Sequence, residues 1–361
     1  MTTTEHETTA APNTDEHVVG YSPLPTPAEL STDLPADPQA QYAVARAREE
    51  VRAVLDGLDQ RLLVIVGPCS IHDPAAGLEY ARALARVAAR HRGELLVVMR
   101  TYFEKPRTTL GWKGLVNDPG LDGSHDMDTG LRTARRFLLD VTALGLPAAT
   151  EFLEPVTPQY LGDLVSWGAI GARTAESQIH RQLVSGLSMP VGFKNGTDGG
   201  LQVALDACTA AASGQAFLGM DPDGRASMVR TDGNPDVHLV LRGGAAGPNY
   251  SDADIEAAAS AAAAAGVNPH LVVDASHANS GKSHERQAVV LEELAASIAA
   301  GQDRLVGIMA ESFLVPGAQK IVPGTPLAYG QSVTDACMGW EATEAALDRL
   351  ADAVRVRRET R

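Results

Sequence analysis

Positive charge is what this chain has too little of. Its 30 lysines and arginines face 45 aspartates and glutamates over 361 residues, a formal net charge of -15. A nucleic-acid binder needs a basic surface to meet phosphates, so that class is excluded. Small phosphorylated substrates are not, because a local basic pocket can sit in an acidic body. Cysteine is scarce as well. Cys69, Cys208 and Cys337 are odd in number and widely spaced, a poor disulfide framework. No apolar run reaches membrane-spanning length, since Gly, Pro or charge interrupts each one, and no membrane partner is expected. Met1 to His6 shows no basic stretch followed by an apolar one, so a secretory signal is not expected and a cytoplasmic location is. Neither a CxxC nor an HExxH spacing is present.

What is there is apolar material for a large core: 44% of the residues are hydrophobic. Residues 1–18 are rich in Thr, Glu, Ala and Pro, a composition that cannot offset its ordering entropy, and a mobile tail is expected. Residues 19–59 read as an N-terminal extension for subunit contacts or regulation. In it, Thr26 is placed to cap a short helix with Pro27 first and Glu29 third. A longer helix is predicted from about Pro38 to Leu58, on the spacing of Tyr42, Val44, Ala47, Val51, Val54, Leu55 and Leu58.

From residue 60 to 355 short apolar runs alternate with amphipathic stretches. The candidate strands are Leu62–Val66, Leu95–Met99, Leu146–Thr150, Ala169–Ala172, Val191–Phe193, Val237–Leu241, His270–Val273 and Leu305–Met309. They alternate little, as parallel strands buried on both faces do. The pattern predicts an α/β fold, a (β/α)8 barrel. An extra pair of extended pieces near 216–231, around an Asp-Gly turn, reads as an inserted β-hairpin. The rival doubly wound sheet would show a Gly-rich loop after its first strand, and Gly67-Pro68-Cys69-Ser70 is not one.

In a barrel every strand's C-terminal end opens on one face, so the residues that follow the runs should converge. Arg100, Lys105, Arg107, Arg173, Lys194 and Arg242 then make a dense cationic cluster. Such a cluster calls for a multiply charged anion, since Arg forks onto phosphate or carboxylate and Lys adds point charge. A second set, Cys69, His277, Glu311 and Asp335, mixes thiolate, imidazole and carboxylate. That mixture suits one divalent metal of borderline softness: Mn, Fe, Co or Zn. Glu151 follows the third run.

These motifs resemble a known family. Gly67-Pro68-Cys69-Ser70-Ile71-His72-Asp73, Glu104-Lys105-Pro106-Arg107-Thr108-Thr109, Gly168-Ala169-Ile170-Gly171-Ala172-Arg173-Thr174, Gly192-Phe193-Lys194-Asn195-Gly196-Thr197, Leu241-Arg242-Gly243-Gly244, Ser276-His277-Ala278-Asn279-Ser280 and Ser332-Val333-Thr334-Asp335-Ala336-Cys337 are similar to stretches of the type I, bacterial-and-yeast class of 3-deoxy-D-arabino-heptulosonate 7-phosphate (DAHP) synthases. The resemblance covers about residues 18–350. It implies the first enzyme of the shikimate pathway, a transferase that condenses phosphoenolpyruvate with D-erythrose 4-phosphate. It also implies that Cys69, His277, Glu311 and Asp335 hold the metal. Arg173, Lys194 and Arg242, with Ala172 beside them, match the phosphoenolpyruvate phosphate site, and Arg100 and Lys105 its carboxylate side. Pro106, Arg107 and Thr108 match the sugar-phosphate motif, and Glu151 a residue that positions water. Lys105, Glu151, Lys194, Cys69 and His277 are the expected catalytic residues, with Asp335 also near substrate. Members are often inhibited by an aromatic amino acid. Phe or Tyr is the expected effector, Pro158 and Ser188 mark where it would bind, and a homodimer or homotetramer is expected. The rival readings are a sister synthase acting on arabinose 5-phosphate or an amino analogue of erythrose 4-phosphate, and a non-catalytic aromatic-amino-acid sensor.

Overall fold

The computed structural model describes residues 14–322 and 324–360, so residues 1–13 of the expected tail lie outside the described residues. Two helices come first, α1 (Pro27–Asp33) and α2 (Pro38–Leu55). Thr26 and Glu29 form a reciprocal capping box on α1, as their spacing predicts. The repeating region then runs β1 (Leu62–Gly67), α3 (Pro74–Arg90), β2 (Leu95–Arg100), α4 (Met127–Ala143), β3 (Ala148–Glu151), α5 (Thr157–Leu161), β4 (Trp167–Ile170), α6 (Gln178–Ser185), β5 (Val191–Lys194) and α7 (Gln202–Ala211). A hairpin, β6 (Ala216–Met220) and β7 (Ala226–Arg230), intervenes before β8 (Val237–Leu241), α8 (Asp252–Ala264), β9 (Leu271–Asp274), α9 (His284–Ala299) and β10 (Leu305–Glu311). The chain ends with a small strand pair, β11 (Val315–Ala318) and β12 (Gln331–Ser332), and a long helix, α10 (Trp340–Glu359).

The strands close into a parallel barrel in the order β1-β10-β9-β8-β5-β4-β3-β2. The expected (β/α)8 fold is therefore the observed one, and the inserted hairpin pairs antiparallel from Ala216↔Arg230 to Met220↔Ala226. Several strands run further toward their C-terminal ends than the apolar runs suggest: Arg100, Glu151, Lys194, Asp274 and Glu311 are themselves strand residues. A run read by hydrophobicity stops at its first charge, whereas the ladder of backbone hydrogen bonds does not. The fourth strand starts earlier than expected, at Trp167, because that indole is fully buried inside the barrel. This leaves α5 only one short turn and a half, followed by the 3-10 turn Gly162–Leu164.

Side chains of alternate strand residues fall into two cores. Leu62, Val64 and Val66 face the helices, while Leu63, Ile65, Leu96, Val98, Ala149, Ala169, Val240, Val272 and Met309 fill the barrel interior. Val51, Val54 and Leu55 of α2 belong to that interior cluster, so α2 plugs the N-terminal mouth of the barrel. Asn268 Nδ2 donates to the Leu55 carbonyl at 3.0 Å, and His270 Nδ1 lies 2.7 Å from it. Each plugging side chain contributes about 1.5–3 kcal/mol by leaving water.

Candidate active site

The barrel's period of two decides which charges enter its C-terminal mouth. Leu96 and Val98 point inward, so Arg100 does. By the same count Ala149 leads to Glu151, Val272 to Asp274 and Met309 to Glu311. The interior is apolar below and charged at its rim.

Cys69, Glu311 and Asp335 bring a thiol sulfur and two carboxylate oxygens within 4.8 Å of one another. The first two meet because β1 pairs with β10 in register Gly67↔Glu311, and Ser312 N donates to the Gly67 carbonyl at 2.9 Å. Asp335 arrives from the segment after β12 and is the exposed member. Burial first, then the charge of Glu311, pushes the Cys69 thiol up to about 11. A buried thiol facing two carboxylates cannot ionise cheaply without a cation. A divalent metal of borderline softness suits this donor set and would displace the thiol proton. His277 stands outside the 4.8 Å group but lines the same recess as Glu311 and Asp335. Its backbone is left-handed, with φ 57°, and its Nδ1 lies 2.9 Å from Asp274 Oδ2. A carboxylate on one ring nitrogen leaves Nε2 free to meet a metal, an arrangement common among metal-binding histidines.

Beside this set lies a cleft of about 700 Å³. Lys105, Arg107, Arg173, Lys194 and Arg242 all line it, with Pro106, Thr108, Glu151, Ala172, His277 and Asp335. Lys194 Nζ lies 2.8 Å from Asp274 Oδ2, both buried. Burial works against the Lys194 charge, but Asp274 outweighs it and holds the ammonium above its ordinary range. Burial lowers the Arg242 guanidinium, whose backbone N–H donates to Asn195 Oδ1 at 2.8 Å. Arg173 Nη1 donates to Thr108 Oγ1 at 3.2 Å, joining two loops of the cleft. A Cβ at Gly171 would meet the Glu151 carboxylate and push it aside, so a glycine there leaves Glu151 its present position. Arg100 lies beneath, fully buried, with Nη2 3.1 Å from Glu311 Oε1 and its carbon 3.9 Å above the Tyr102 ring. Its Nη1 is buried without a hydrogen-bond partner, which a substrate oxygen would satisfy.

The loop carrying Lys105 is stitched to itself. Lys105 N donates to the Lys113 carbonyl at 2.7 Å, and Lys105 Nζ to the Cys69 carbonyl at 3.2 Å. Gly114 has φ +121°, and a Cβ there would run into the Phe103 carbonyl. Glu104, next to Lys105, is buried and accepts from Glu154 N at 3.1 Å, Thr157 Oγ1 at 3.0 Å and Leu153 N at 3.4 Å. Burial pushes its carboxyl up to about 8.

Three contributors escaped the sequence reading: Lys282, Asn195 and Glu104. Asp274 is legible as a residue at the end of the seventh run, but its role as partner of both Lys194 and His277 needs the geometry. Lys282 lines both the cleft and the recess from the turn after His277, with φ 62°. Asn195 and Glu104 act through backbone groups far away in sequence, which no local pattern signals. His180, by contrast, is a stitch: its Nε2 lies 3.0 Å from the Leu153 carbonyl.

Away from the mouth, α5, α6 and the hairpin enclose a second cavity of about 1160 Å³. Pro158 and Ser188 both line it, with Arg48 of α2, Ile179 of α6, and Phe217 and Val229 of the hairpin.

Comparison with known proteins agrees with this geometry. The model of the DAHP synthetase I family matches residues 33–348. The chain is 51% identical over 356 residues to a phospho-2-dehydro-3-deoxyheptonate aldolase of Corynebacterium glutamicum, covering 97% of this chain and 96% of the relative. It is 51% identical over 346 residues to the Phe-sensitive enzyme of that name from Escherichia coli, covering 96% and 99%. It is 52% identical over 334 residues to a Trp-sensitive one from the same species, covering 92% and 96%. A solved structure of the Francisella tularensis aldolase superposes with a TM-score of 0.91 at 46% identity, covering 93% of this chain and 98% of that one. With the family model matched from residue 33 to 348 and relatives about half identical over nearly the whole chain, the chain belongs to the DAHP synthetase I family.

Proposed function

We propose that this chain is a 3-deoxy-7-phosphoheptulonate synthase whose cleft joins phosphoenolpyruvate to D-erythrose 4-phosphate, with water consumed and phosphate released. The observation that carries the assignment of residues is the meeting of six cleft cations, Lys282 included, with the Cys69, Glu311 and Asp335 group at one barrel mouth.

Arg173, Lys194 and Arg242 hold the phosphoenolpyruvate phosphate, with Ala172 against it. Arg100 and Lys105 face its carboxylate, and the unpartnered Arg100 Nη1 supports that placement. Pro106, Arg107 and Thr108 hold the sugar phosphate. Cys69, His277, Glu311 and Asp335 hold one Mn, Fe, Co or Zn ion, which when bound supplies Lewis acidity toward the sugar aldehyde. The enol carbon of phosphoenolpyruvate forms the new bond to the aldehyde carbon. Glu151 and Lys194 hold the water that adds to the carbon left electron-poor. Loss of phosphate by C–O cleavage then gives the keto product. Fixing two anions in reacting position removes much of the entropic barrier, and that is the work of the cationic cluster. Lys194 stays charged for it because Asp274 is its partner.

The larger cavity suits an aromatic amino acid, Phe or Tyr, on walls that include Pro158 and Ser188. Residues 19–59 form the regulatory and subunit-contact extension, residues 60–355 the catalytic barrel, and the protein works as a homodimer or homotetramer in the cytoplasm. No helix among the described residues is long and apolar enough to cross a membrane.

The test is direct. Purified chain with added metal should form DAHP and phosphate one for one from the two substrates. Arabinose 5-phosphate and the amino analogue, assayed beside erythrose 4-phosphate, should react far more slowly. Absence of phosphate release with any metal would refute the enzymatic reading and favour the sensor.

A further inference from the structure

Glu104 is only 2% exposed, and no cation pairs with it among the described residues. A buried carboxylate is costly unless something holds it. What holds it is the loop between β3 and α5, through Leu153 N and Glu154 N, and the first residue of α5, through Thr157 Oγ1. The two ends of this link belong to different sites. The next residue, Lys105, begins the Lys105–Thr108 turn that lines the 700 Å³ cleft. Thr157 sits between Val156 and Pro158, both of which line the 1160 Å³ cavity. One side chain therefore spans from the substrate turn to the cavity wall. The turn's other ties run to its own loop, through Lys113 and the close approach at Gly114. They also run across the cleft, from Lys105 Nζ to the Cys69 carbonyl and from Arg173 Nη1 to Thr108 Oγ1. The bond network of Glu104 is thus its link toward the second cavity.

We propose that Glu104 is a positioning residue. Its carboxyl group clamps the Lys105–Thr108 turn to the loop between β3 and α5 and to the start of α5, so the sugar-phosphate subsite takes its geometry from the wall of the second cavity. This rests on the reading of that turn as the sugar-phosphate site. The phosphoenolpyruvate side is less exposed to the clamp, because Lys105 alone of its contacts belongs to the turn: Arg100 and Lys194 end β2 and β5, and Arg173 and Arg242 follow β4 and β8.

The experiment uses the full chain loaded with metal, and measures KM for each substrate and the thermal transition. Glu104→Ala leaves buried donors unpaired and should raise KM for erythrose 4-phosphate about ten-fold, with KM for phosphoenolpyruvate moving less than about two-fold. Glu104→Gln keeps a carbonyl acceptor and should stay within about three-fold of the parent. Thr157→Val removes one donor without touching the cleft, and should raise the sugar KM about two-fold. Unmoved sugar KM in both Glu104→Ala and Thr157→Val, or equal shifts for the two substrates, would overturn the clamp. If Glu104→Ala does not fold, Thr157→Val and Glu104→Gln decide the matter by the same split. A parent chain inactive with both substrates would instead overturn the functional reading, and the clamp with it.

Discussion

The cleft at the barrel mouth and the cavity beside α5 differ in what builds them. The cleft is the smaller, about 700 against 1160 Å³, yet it holds the buried charges: Lys105, Lys194 and Arg242, with Arg100, Asp274 and Glu311 next to it. Charge taken from water must be balanced at once, and rigid strand ends allow that, as in Lys194 with Asp274 and Arg100 with Glu311. The cavity is walled by a short helix, a hairpin and loops, with Phe217, Val229, Ile179 and Pro158 among its lining. The difference is between a site built of balanced buried charge on strand ends, suited to anions and a cation, and one with apolar side chains among its walls, suited to a partly apolar guest.

Substitutions should respect that division, and the largest effect belongs to the cleft. Cys69→Ala removes the buried thiol and should lower metal-dependent kcat/KM at least about 1000-fold in a phosphate-release assay. Retention within ten-fold would erase the distinction. Arg242→Ala should follow, with kcat/KM for phosphoenolpyruvate down about 100-fold, since a charge-assisted bidentate contact to phosphate is lost. Ser188→Leu occupies the cavity. It should raise the concentration of phenylalanine or tyrosine needed for half-inhibition about ten-fold, read from inhibition curves. The smallest effect concerns Glu104, which joins the two regions. Its folded pKa is raised by burial from 4.5 to about 8. The stability tied to its protonated form is fully present below about 4.5 and is lost as pH rises through about 8. Thermal transitions of Glu104→Gln should therefore fall less than those of the parent across that window.

The same contrast explains what was legible in the amino-acid order. The cleft's residues could be named because each follows an apolar run, and a barrel brings all such positions to one face. Boundaries were less legible. Arg100, Asp274 and Glu311 are strand residues that a hydrophobic count excludes, and Trp167 opens a strand that the count begins two residues later. The role of α2 could not be read either. Its amphipathic stripe announces burial, but only the fold shows Val51, Val54 and Leu55 closing the barrel's far end. Pro158 and Ser188 were named from resemblance. Nothing local joins them, since the cavity between them exists only once α5, α6 and the hairpin have packed. His277 was named as a ligand, and the Asp274 carboxylate at its ring lies only three residues earlier, but their meeting depends on the left-handed backbone at His277, which the residue order does not announce.

The central claim is that the cationic cleft and the Cys69, Glu311 and Asp335 group are one metal-dependent condensing site. Stripping the chain with a chelator and titrating Mn back, while following DAHP and phosphate together, tests it most directly. The account predicts no turnover without metal, and both products rising one for one to a plateau near one ion per chain. Full turnover in metal-free buffer would contradict it.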